Sequence, residues 1–413
     1  CLLATVTSAG AVDLAFSVER DWYSVCNLSS VWWDIIEPEI EFAIDETQVS
    51  KISANTFRNN ARRLLCVAVT WSHMLEDENS QKFSYLVTAY RSSDIAVWKV
   101  PKIPTLSYKL TPELVHTGNS GDFGKITKLL FIVLEPKKYL IILGFFDGRI
   151  LGTIYNEVGG KFEQESSWKY ESPDGIPITY LQAKSMPDKE NMVIFTKNSV
   201  FGVFYVDSDG RRRDKIYTKL PAYSISGVAI LKNGDALVDT QDNKFFHIKL
   251  EDNTAEKFSV TQEMKTTKTQ TLGLTMSPSG VTFVYVTSPS TAYDHLINRE
   301  PSILHFFTLG LPECNPWVNL ETSSSNLMKY WDCLEMIRIL ATKAMDPKTI
   351  LPKIPQQLDD ITSVHQLRII MWLTLITEIV TKKIVVKNIH NIAGEFSEAQ
   401  PLIFMHSISA HLI

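Results

Sequence analysis

Short apolar runs separated by small polar turns recur along most of the chain. Residues 85–100, "YLVTAYRSSDIAVWKV", contain two such runs around the turn "RSSD". Residues 126–156, 178–207 and 225–251 repeat the arrangement with three runs each, and residues 271–288 followed by 302–310 give a further unit. Runs of about four to eight residues rich in Val, Ile, Phe and Tyr, bounded by Gly, Asn, Asp and Pro, indicate antiparallel strands.

The last apolar run of each unit begins about 50 residues after the last run of the unit before it. Aligning these runs superposes five positions about 50 residues apart, namely Ile95, Ile150, Val200, Phe245 and Ile303. A repeat of this length that carries a β-meander is typical of a β-propeller blade. Sandwiches and large barrels also contain short meanders, at irregular spacing, and they remain the alternative fold.

Two turns and one tryptophan match blades of the WD40 type. The segments "LKNGD" (231–235) and "MSPSG" (276–280) stand where such blades carry a Ser-Pro-Asp-Gly turn, and Trp98 stands where they carry a packed tryptophan. We therefore predict a mainly β, WD40-like β-propeller over residues 1–315, truncated at its amino terminus. Because "LLATVTSAGAVDLAF" resembles the last two strands of a blade, we expect one partial blade and five fuller ones here, and seven blades in the full protein.

Two regions depart from the repeat. Residues 19–62 are longer than a turn and contain Trp22, Trp32 and Trp33, which predicts either an aromatic insertion that contacts partners or a long strand between blades. From residue 316 the apolar residues follow helical spacing, as in "LMKYWDCLEMIRIL" and "LRIIMWLTLITEIV". We predict an α-helical segment over 316–413, incomplete at its end. Its apolar run of about 12 residues is shorter than a bilayer requires, so we interpret it as a core helix.

Composition and charge exclude several functional classes. Hydrophobic residues make up 45% of the chain and charged residues 21%, which is enough apolar material for a sizeable core. The net charge of -5 argues against nucleic-acid binding through the field of the whole chain, so any DNA contact is expected to be local or shared. The five cysteines are far apart and form no C-x-x-C pair, which favours a reducing compartment and argues against a zinc knuckle.

The sequence contains no recognisable catalytic motif. No phosphate-binding loop, dinucleotide fingerprint, zinc-peptidase motif or nucleophile elbow occurs, and His247 and His305 lie inside predicted strands. We assign no catalytic, cofactor-binding or metal-binding residue. Two basic clusters could contact a phosphate backbone, although a solvated loop is the commoner explanation. They are "NNARR" at 59–63 and the run Arg211, Arg212 and Arg213, which we place at the tip of a hairpin between blades.

Several segments, in this order, resemble one family: "CLLATVTSAGAVDL", "DWYSVCNLSSVWWDI", "ARRLLCVAVTWS", "DIAVWKV", "GLTMSPSG", "LMKYWDCLEMIRIL" and "LRIIMWLTLITEIV". The chain is similar to the family of the ninety-kilodalton subunit of general transcription factor IIIC. This resemblance implies a nuclear, non-catalytic scaffold that supports promoter recognition and RNA polymerase III initiation at transfer RNA genes. The implied partners are other transcription factor IIIC subunits, including a second propeller subunit, and the polymerase III initiation machinery. DNA is expected to be contacted indirectly through the complex, and no membrane is expected.

The resemblance leaves alternatives open. The family has a reported histone acetyltransferase activity, which would require acetyl-CoA, and a Gly-containing turn at a helix start is the usual cradle for its pyrophosphate. Gly159 and Gly160 of "YNEVGGKFEQES" lie instead in a predicted hairpin between blades, so the sequence itself indicates no enzyme. Family members also carry a carboxy-terminal zinc-binding domain, for which we find no counterpart here. A generic WD40 adaptor is the third hypothesis, disfavoured by the helical tail.

Overall fold

The chain forms two compact units, Cys1–Ile225 (unit 1) and Ser226–Ile413 (unit 2). The described residues of both units form small antiparallel sheets whose strands follow one another in chain order. The computed structural model describes residues 2–18, 21–40, 54–103, 110–121, 124–186, 190–258, 260, 269–277, 279–289, 302–307, 309, 311 and 314.

The first two sheets of unit 1 differ in size. The first sheet has three strands, β1 (Leu2–Val6), β2 (Val12–Val18) and β3 (Asp21–Asn27). The second sheet has the order β4-β6-β7-β8, and a two-residue strand, β5, pairs with the edge of β6. These strands are β4 (Cys66–Trp71), β5 (Leu75–Glu76), β6 (Lys82–Tyr90), β7 (Asp94–Pro101) and β8 (Glu113–Asn119).

The third and fourth sheets of unit 1 each have four strands. The third consists of β9 (Ile126–Glu135), β10 (Lys138–Phe145), β11 (Ile150–Val158) and β12 (Lys161–Tyr170). The fourth consists of β13 (Ile178–Ser185), β14 (Asn191–Lys197), β15 (Val200–Val206) and β16 (Arg212–Lys219). The first strands β4, β9 and β13 lie beside one another, so β8, β12 and β16 are the edges farthest from that contact.

Two sheets belong to unit 2. One has four strands, β17 (Ile225–Ile230), β18 (Ala236–Thr240), β19 (Phe245–Lys249) and β20 (Thr254–Phe258), and β17 begins at the boundary between the units. In the described residues the other has three strands, β21 (Thr269–Met276), β22 (Phe283–Pro289) and β23 (Ile303–Phe307).

The predicted repeat is confirmed strand by strand. The third strands β11, β15, β19 and β23 begin at the positions aligned by sequence, and Ile95 is the second residue of β7. The turns "LKNGD" and "MSPSG" connect the first and second strands of the two sheets in unit 2. In these turns Gly234 and Gly280 have φ values of 102° and 81°, a backbone conformation in which a side chain would be strained.

Residues 21–40 and 54–64 form a strand, two helices and a 3-10 turn, so the predicted long strand between blades is wrong, while the alternative of an insertion that contacts partners stays a prediction. Asp21–Asn27 is β3, so the first sheet has three strands where the sequence indicated two. Helix α1 (Leu28–Ile36) follows directly, and its cap Asn27 accepts a hydrogen bond from the backbone N–H of Ser30 at 3.0 Å. Asn is among the residues that most favour this capping position. A 3-10 turn (Glu37–Glu39) comes next, and α2 (Ala54–Leu64) precedes β4.

Helix α1 packs through one apolar face. Leu28, Trp32 and Ile36 recur every four residues and are buried, which is the spacing of one side of a helix. The Trp32 ring stacks on Tyr90 of the second sheet with ring centres 4.8 Å apart. Its indole N–H donates to the backbone oxygen of Arg63 in α2 at 3.0 Å. The aromatic residues of this region are therefore core residues of unit 1 as well as surface residues such as Trp22.

Trp98 is buried, as the sequence predicted. Its side chain is 0% exposed, and its indole N–H donates to Thr88 Oγ1 at 3.1 Å, so the single polar group of the ring is satisfied. The ring also meets Trp32 edge to face at 6.2 Å between centres. This cluster joins α1 to the second sheet.

Two sequence predictions extend beyond what the structure describes. The described residues contain six sheets, and the expectation of seven blades in the full protein stays a prediction. The predicted α-helical segment over 316–413 lies outside the described residues. In the described part of the chain, no helix is long and apolar enough to cross a membrane.

Candidate functional site

A cleft of about 940 Å³ opens between the edge strands of the third and fourth sheets in unit 1. We call it the β12–β16 cleft. One wall comes from the end of β12 and the loop after it, and the other comes from β16. Its lining residues are Lys169, Tyr170, Glu171, Ser172, Asp174, Arg212, Arg213, Lys215 and Tyr217.

A buried lysine pairs with the two acids that line this cleft. Lys197, the last residue of β14, has a side chain that is 5% exposed, and its Nζ is 3.1 Å from both Glu171 Oε2 and Asp174 Oδ2. The backbone oxygen of Asp147 accepts hydrogen bonds from the backbone N–H groups of Asp174 and Gly175, both at 3.1 Å. The loop that carries the two carboxylates is therefore held against the β10–β11 turn.

The two tyrosines of the cleft are hydrogen-bonded to each other and to one of these carboxylates. The hydroxyl oxygens of Tyr170 and Tyr217 are 3.1 Å apart, and the Tyr217 hydroxyl donates to Glu171 Oε1. Burial raises the pKa of both phenols, and the hydrogen bond to Glu171 raises that of Tyr217 further. Both hydroxyls therefore stay protonated at neutral pH and serve as donors, not as bases.

Two basic side chains lie over the faces of these tyrosines. The guanidinium carbon of Arg212 is 4.2 Å from the centre of the Tyr170 ring, and Nζ of Lys215 is 4.9 Å from the centre of the Tyr217 ring. Cations at such distances are attracted by the negative face of an aromatic ring. Arg212 also donates to the backbone oxygen of Lys169 at 3.5 Å, which links the two walls.

The arginine run predicted as a candidate contact is divided by the structure. Arg211 lies in the turn between β15 and β16 of one sheet, rather than between blades, and its side chain is 79% exposed and does not line the cleft. Arg212 and Arg213 begin β16 and do line it. Arg213 is paired, with a nitrogen 3.3 Å from Asp207 Oδ2 and another 3.5 Å from Glu190 Oε1. Arg212 is the member of the run that faces the cleft without a carboxylate within 4 Å in the described residues.

The second predicted cluster, "NNARR", lies in α2 beside the β6–β7 turn. It contributes to a separate pocket of about 440 Å³ that Arg91 and Lys125 also line. Arg63 is 2.6 Å from Glu39 Oε2 and 3.5 Å from Asp94 Oδ2. This arginine therefore joins α2 to its neighbours, which is a structural role that the sequence did not reveal.

The histidines that the sequence placed in strands make local contacts in unit 2. His247 Nε2 is 3.2 Å from Asp235 Oδ2, and His305 Nε2 is 2.8 Å from Thr287 Oγ1. Burial lowers the pKa of His305, whose ring stacks on Tyr285 at 4.5 Å. Across the described residues, no group of three or more His, Cys, Asp or Glu side chains is placed to hold a metal ion.

The glycine pair considered for a pyrophosphate cradle forms a turn within one sheet. Gly159 and Gly160 have φ values of 59° and 79° and connect β11 to β12, so a strand follows them and not a helix. The predicted hairpin is confirmed, but it lies inside the third sheet, whereas we expected it between blades.

Sequence reasoning missed the buried lysine that pairs with the acids of the cleft. Lys197 ends a strand, "NMVIFTK", in which every residue is buried. A lysine that closes a strand with the apolar run "MVIF" was the available signal, because buried lysines are rare unless they are paired. Its partners, Glu171 and Asp174, lie in the connection between β12 and β13, where no local sequence pattern identifies them.

Comparison with known proteins gives one family. The sequence model of the transcription factor IIIC subunit delta β-propeller domain matches residues 1–310. A search of curated proteins finds no significant match. Among solved structures, the Dos1 propeller is 13% identical with a TM-score of 0.34, covering 55% of this chain and 68% of that chain. A proposed 6-phosphogluconolactonase from Bacteroides fragilis is 11% identical with a TM-score of 0.45, covering 76% and 78%. Both TM-scores are too low to carry an argument about fold or function.

Proposed function

This chain belongs to the family of transcription factor IIIC subunit delta β-propeller domains, and from that premise we propose that it is a non-catalytic scaffold subunit of the transcription factor IIIC complex. In that complex it supports promoter recognition and RNA polymerase III initiation at transfer RNA genes in the nucleus. The observation that carries the proposal is the family match over residues 1–310, which spans all six described sheets.

The chemistry of the cleft supports a binding role. Its acids are engaged by a buried lysine, its phenols are protonated donors, and its exposed groups are cations on aromatic rings. A catalytic acid or base needs a pKa near the working pH and access to a reacting atom. Groups that are already paired are better suited to present a fixed charge pattern to another protein.

We propose that DNA contact is shared with other subunits, including a second propeller subunit. The chain carries a net charge of -5, and Arg63 and Arg213, one from each of the two basic clusters, are paired with carboxylates. Binding to a duplex requires several unpaired cations facing the phosphates. The isolated chain is therefore expected to give no promoter-specific mobility shift at physiological salt, and a specific complex formed by this chain alone would contradict the proposal.

No contact among the residues that the structure describes favours either alternative function. An acetyltransferase needs an anion-binding turn at a helix start, whereas α1 begins after Asn27 and the glycine pair at 159–160 precedes β12. A generic WD40 adaptor would also contain small antiparallel sheets, but it would not match the transcription factor IIIC family model. We therefore keep the scaffold role as the function.

Affinity purification tests this function. The full-length protein, tagged and recovered from nuclear extract at about 0.15 M salt, is analysed by mass spectrometry beside an equally tagged, unrelated propeller. We expect the other transcription factor IIIC subunits in the first sample and not in the second. Recovery of vesicle-coat or ubiquitin-ligase subunits in their place would contradict the proposal and favour the adaptor. Acetyl transfer to histones by the purified full-length protein would favour the enzyme.

A further inference from the structure

The β12–β16 cleft has more positive than negative charge. Among the side chains that the structure describes, four basic and two acidic ones line it. The two acidic ones, Glu171 and Asp174, share the ammonium group of Lys197. This ammonium group compensates one of their two negative charges. The cations on the walls therefore still outnumber the uncompensated acid among the described side chains.

These cations are positioned and not simply exposed. The Arg212 guanidinium lies over the Tyr170 ring and donates to the backbone oxygen of Lys169, while the Lys215 ammonium lies over the Tyr217 ring. The tyrosines in turn are fixed by their mutual hydrogen bond. A guanidinium held in one orientation can pair with a carboxylate in a two-pronged geometry while losing less side-chain entropy than a free one.

Basic residues on an edge strand commonly serve only to discourage pairing with another strand. That explanation accounts for charge along β16, but not for a cleft whose second wall comes from another sheet. It also does not account for the buried lysine that pairs with both acids of the cleft. The arrangement is that of a site built to receive an anion.

The contacts favour an acidic protein segment over a nucleic acid. Bases bind exposed aromatic faces by stacking, but here Arg212 and Lys215 already cover the rings of Tyr170 and Tyr217. An extended peptide is narrow, and it places alternate side chains on one face, roughly 7 Å apart.

We propose that the β12–β16 cleft binds an extended acidic segment of a partner protein, whose carboxylates pair with Arg212 and Lys215. The inference rests on the proposed function in that it names one kind of partner for a scaffold subunit. It adds a site and a ligand chemistry that the family assignment does not give.

Fluorescence anisotropy with the full chain tests this site. The probe is a labelled peptide of about 12 residues in which glutamate and threonine alternate, and the reference is the same peptide with lysine in place of glutamate. We expect the acidic peptide to bind and the basic one not to bind. Affinity should fall as salt rises from about 0.05 to 0.3 M, because screening weakens exposed ion pairs.

Charge reversal locates the binding. The double variant Arg212→Glu with Lys215→Glu should lose affinity by roughly tenfold or more, since two charge-assisted contacts are replaced by repulsion. Arg211→Glu is the matched control, because this neighbour is exposed and does not line the cleft, and its affinity should stay within about twofold. If charge reversal prevents folding, judged by circular dichroism, the neutral pair Arg212→Gln and Lys215→Gln should still reduce affinity.

Three results would overturn the inference: equal binding of the acidic and basic peptides, equal affinity of the double variant and the Arg211 control, or a matched DNA duplex that binds through Arg212 and Lys215 more tightly than the peptide. These results are separable from the fate of the proposed function. If the other subunits are recovered from extract but binding of the peptide does not depend on Arg212 and Lys215, the scaffold role stands and the proposed site is wrong. If the peptide depends on the cleft but no subunit is recovered, the site stands and the assignment to the complex fails.

Discussion

Lys197 and Asp239 occupy similar places in the repeat, yet only one of them has a charged partner. Lys197 is the last residue of β14 and Asp239 is the penultimate residue of β18, each the second strand of its sheet. The ammonium group of Lys197 contacts the carboxylates of Glu171 and Asp174. Asp239 is 0% exposed, and neither of its carboxylate oxygens makes a hydrogen bond within the described residues.

The difference shows two ways in which a sheet accommodates an ionisable side chain. Burial of a charge is costly unless it is paired. The Lys197 ammonium group is paired with two carboxylates, and the loop that carries those acids forms part of one wall of the cleft. For Asp239, desolvation raises the pKa to about 7, although the nearby backbone N–H of Gly227 lowers it in part without completing a hydrogen bond. The carboxyl group of Asp239 is therefore protonated in mildly acidic solution.

Trp98 adds a third case, a buried neutral polar group, the indole N–H, whose hydrogen bond is made to Thr88 Oγ1. Trp98→Ala should lower the free energy of unfolding by about 3 to 5 kcal/mol, because it removes a large core side chain and leaves Thr88 without its donor. Chemical denaturation measures the change. Trp22→Ala is the matched control, since Trp22 is 49% exposed, and it should cost less than about 1 kcal/mol. A loss below about 1 kcal/mol for Trp98 would contradict its place in the core.

Asp239 should make stability depend on pH. Its folded pKa of about 7 lies above the unfolded value of about 3.9, so the folded state binds the proton more tightly. Its contribution is fully present below about pH 4 and is lost as pH rises to 7, amounting to about 4 kcal/mol. The measurement is urea denaturation between about pH 4 and 8 for the wild type and for Asp239→Asn. The variant should lack this slope, and equal slopes in the two proteins would show that Asp239 is ionised throughout.

Removing the ammonium group of Lys197 should destabilise the protein, because it removes the ion pairs with Glu171 and Asp174. Lys197→Met leaves Glu171 and Asp174 without compensation, and we expect a loss of about 2 to 3 kcal/mol. The value is below that of a fully buried pair because the two carboxylates keep some contact with solvent. Adding Glu171→Gln and Asp174→Asn to the same protein should recover most of the loss in thermal or chemical denaturation. If the triple variant is no more stable than Lys197→Met, the pairing is not what makes Lys197 important.

The turn that supports the cleft loop gives the smallest expected effect. Gly148 has a φ of 92°, and an added Cβ would lie 2.7 Å from the backbone oxygen of Ile176 and overlap Asp174 Oδ1. Gly148→Ala should therefore cost about 2 kcal/mol, from backbone strain together with the displaced loop. Gly159→Ala is its control, because φ there is 59° and nothing lies within 4 Å of the added atom. We expect about 1 kcal/mol for the control, and equal losses for the two variants would contradict the close packing at Gly148.

The strand positions could be predicted because they depend on a local pattern. Alternation, turn residues and the spacing of third strands all appear within about 50 residues, and each blade repeats them. For the same reason Gly234 and Gly280 were placed in turns and Trp98 in the core. The number of strands in the first sheet was predicted wrongly. The aromatic residues of 21–36 were interpreted as an insertion, so neither β3 nor the four-residue spacing of the buried residues in α1 was recognised.

The site could be predicted only in fragments, because its contacts join separate strands. The arginine run was visible in the sequence, but only the fold shows that Arg212 lies over the Tyr170 ring across the cleft while Arg211 does not line the cleft. Asp239 sits in "ALVDT", which in sequence is indistinguishable from a strand ending at a polar turn. Whether such a carboxyl is solvated or enclosed depends on the approach of Gly227 from the neighbouring strand.

Depletion and add-back in a transcription assay test the central claim most directly. The full-length protein is removed from nuclear extract with an antibody, and transcription is measured from a transfer RNA gene and from an RNA polymerase II control template. A scaffold subunit of transcription factor IIIC predicts loss of the transfer RNA transcript alone, and its return when the complex purified through the tagged protein is added. Undiminished transcription of the transfer RNA gene after complete depletion would contradict the account.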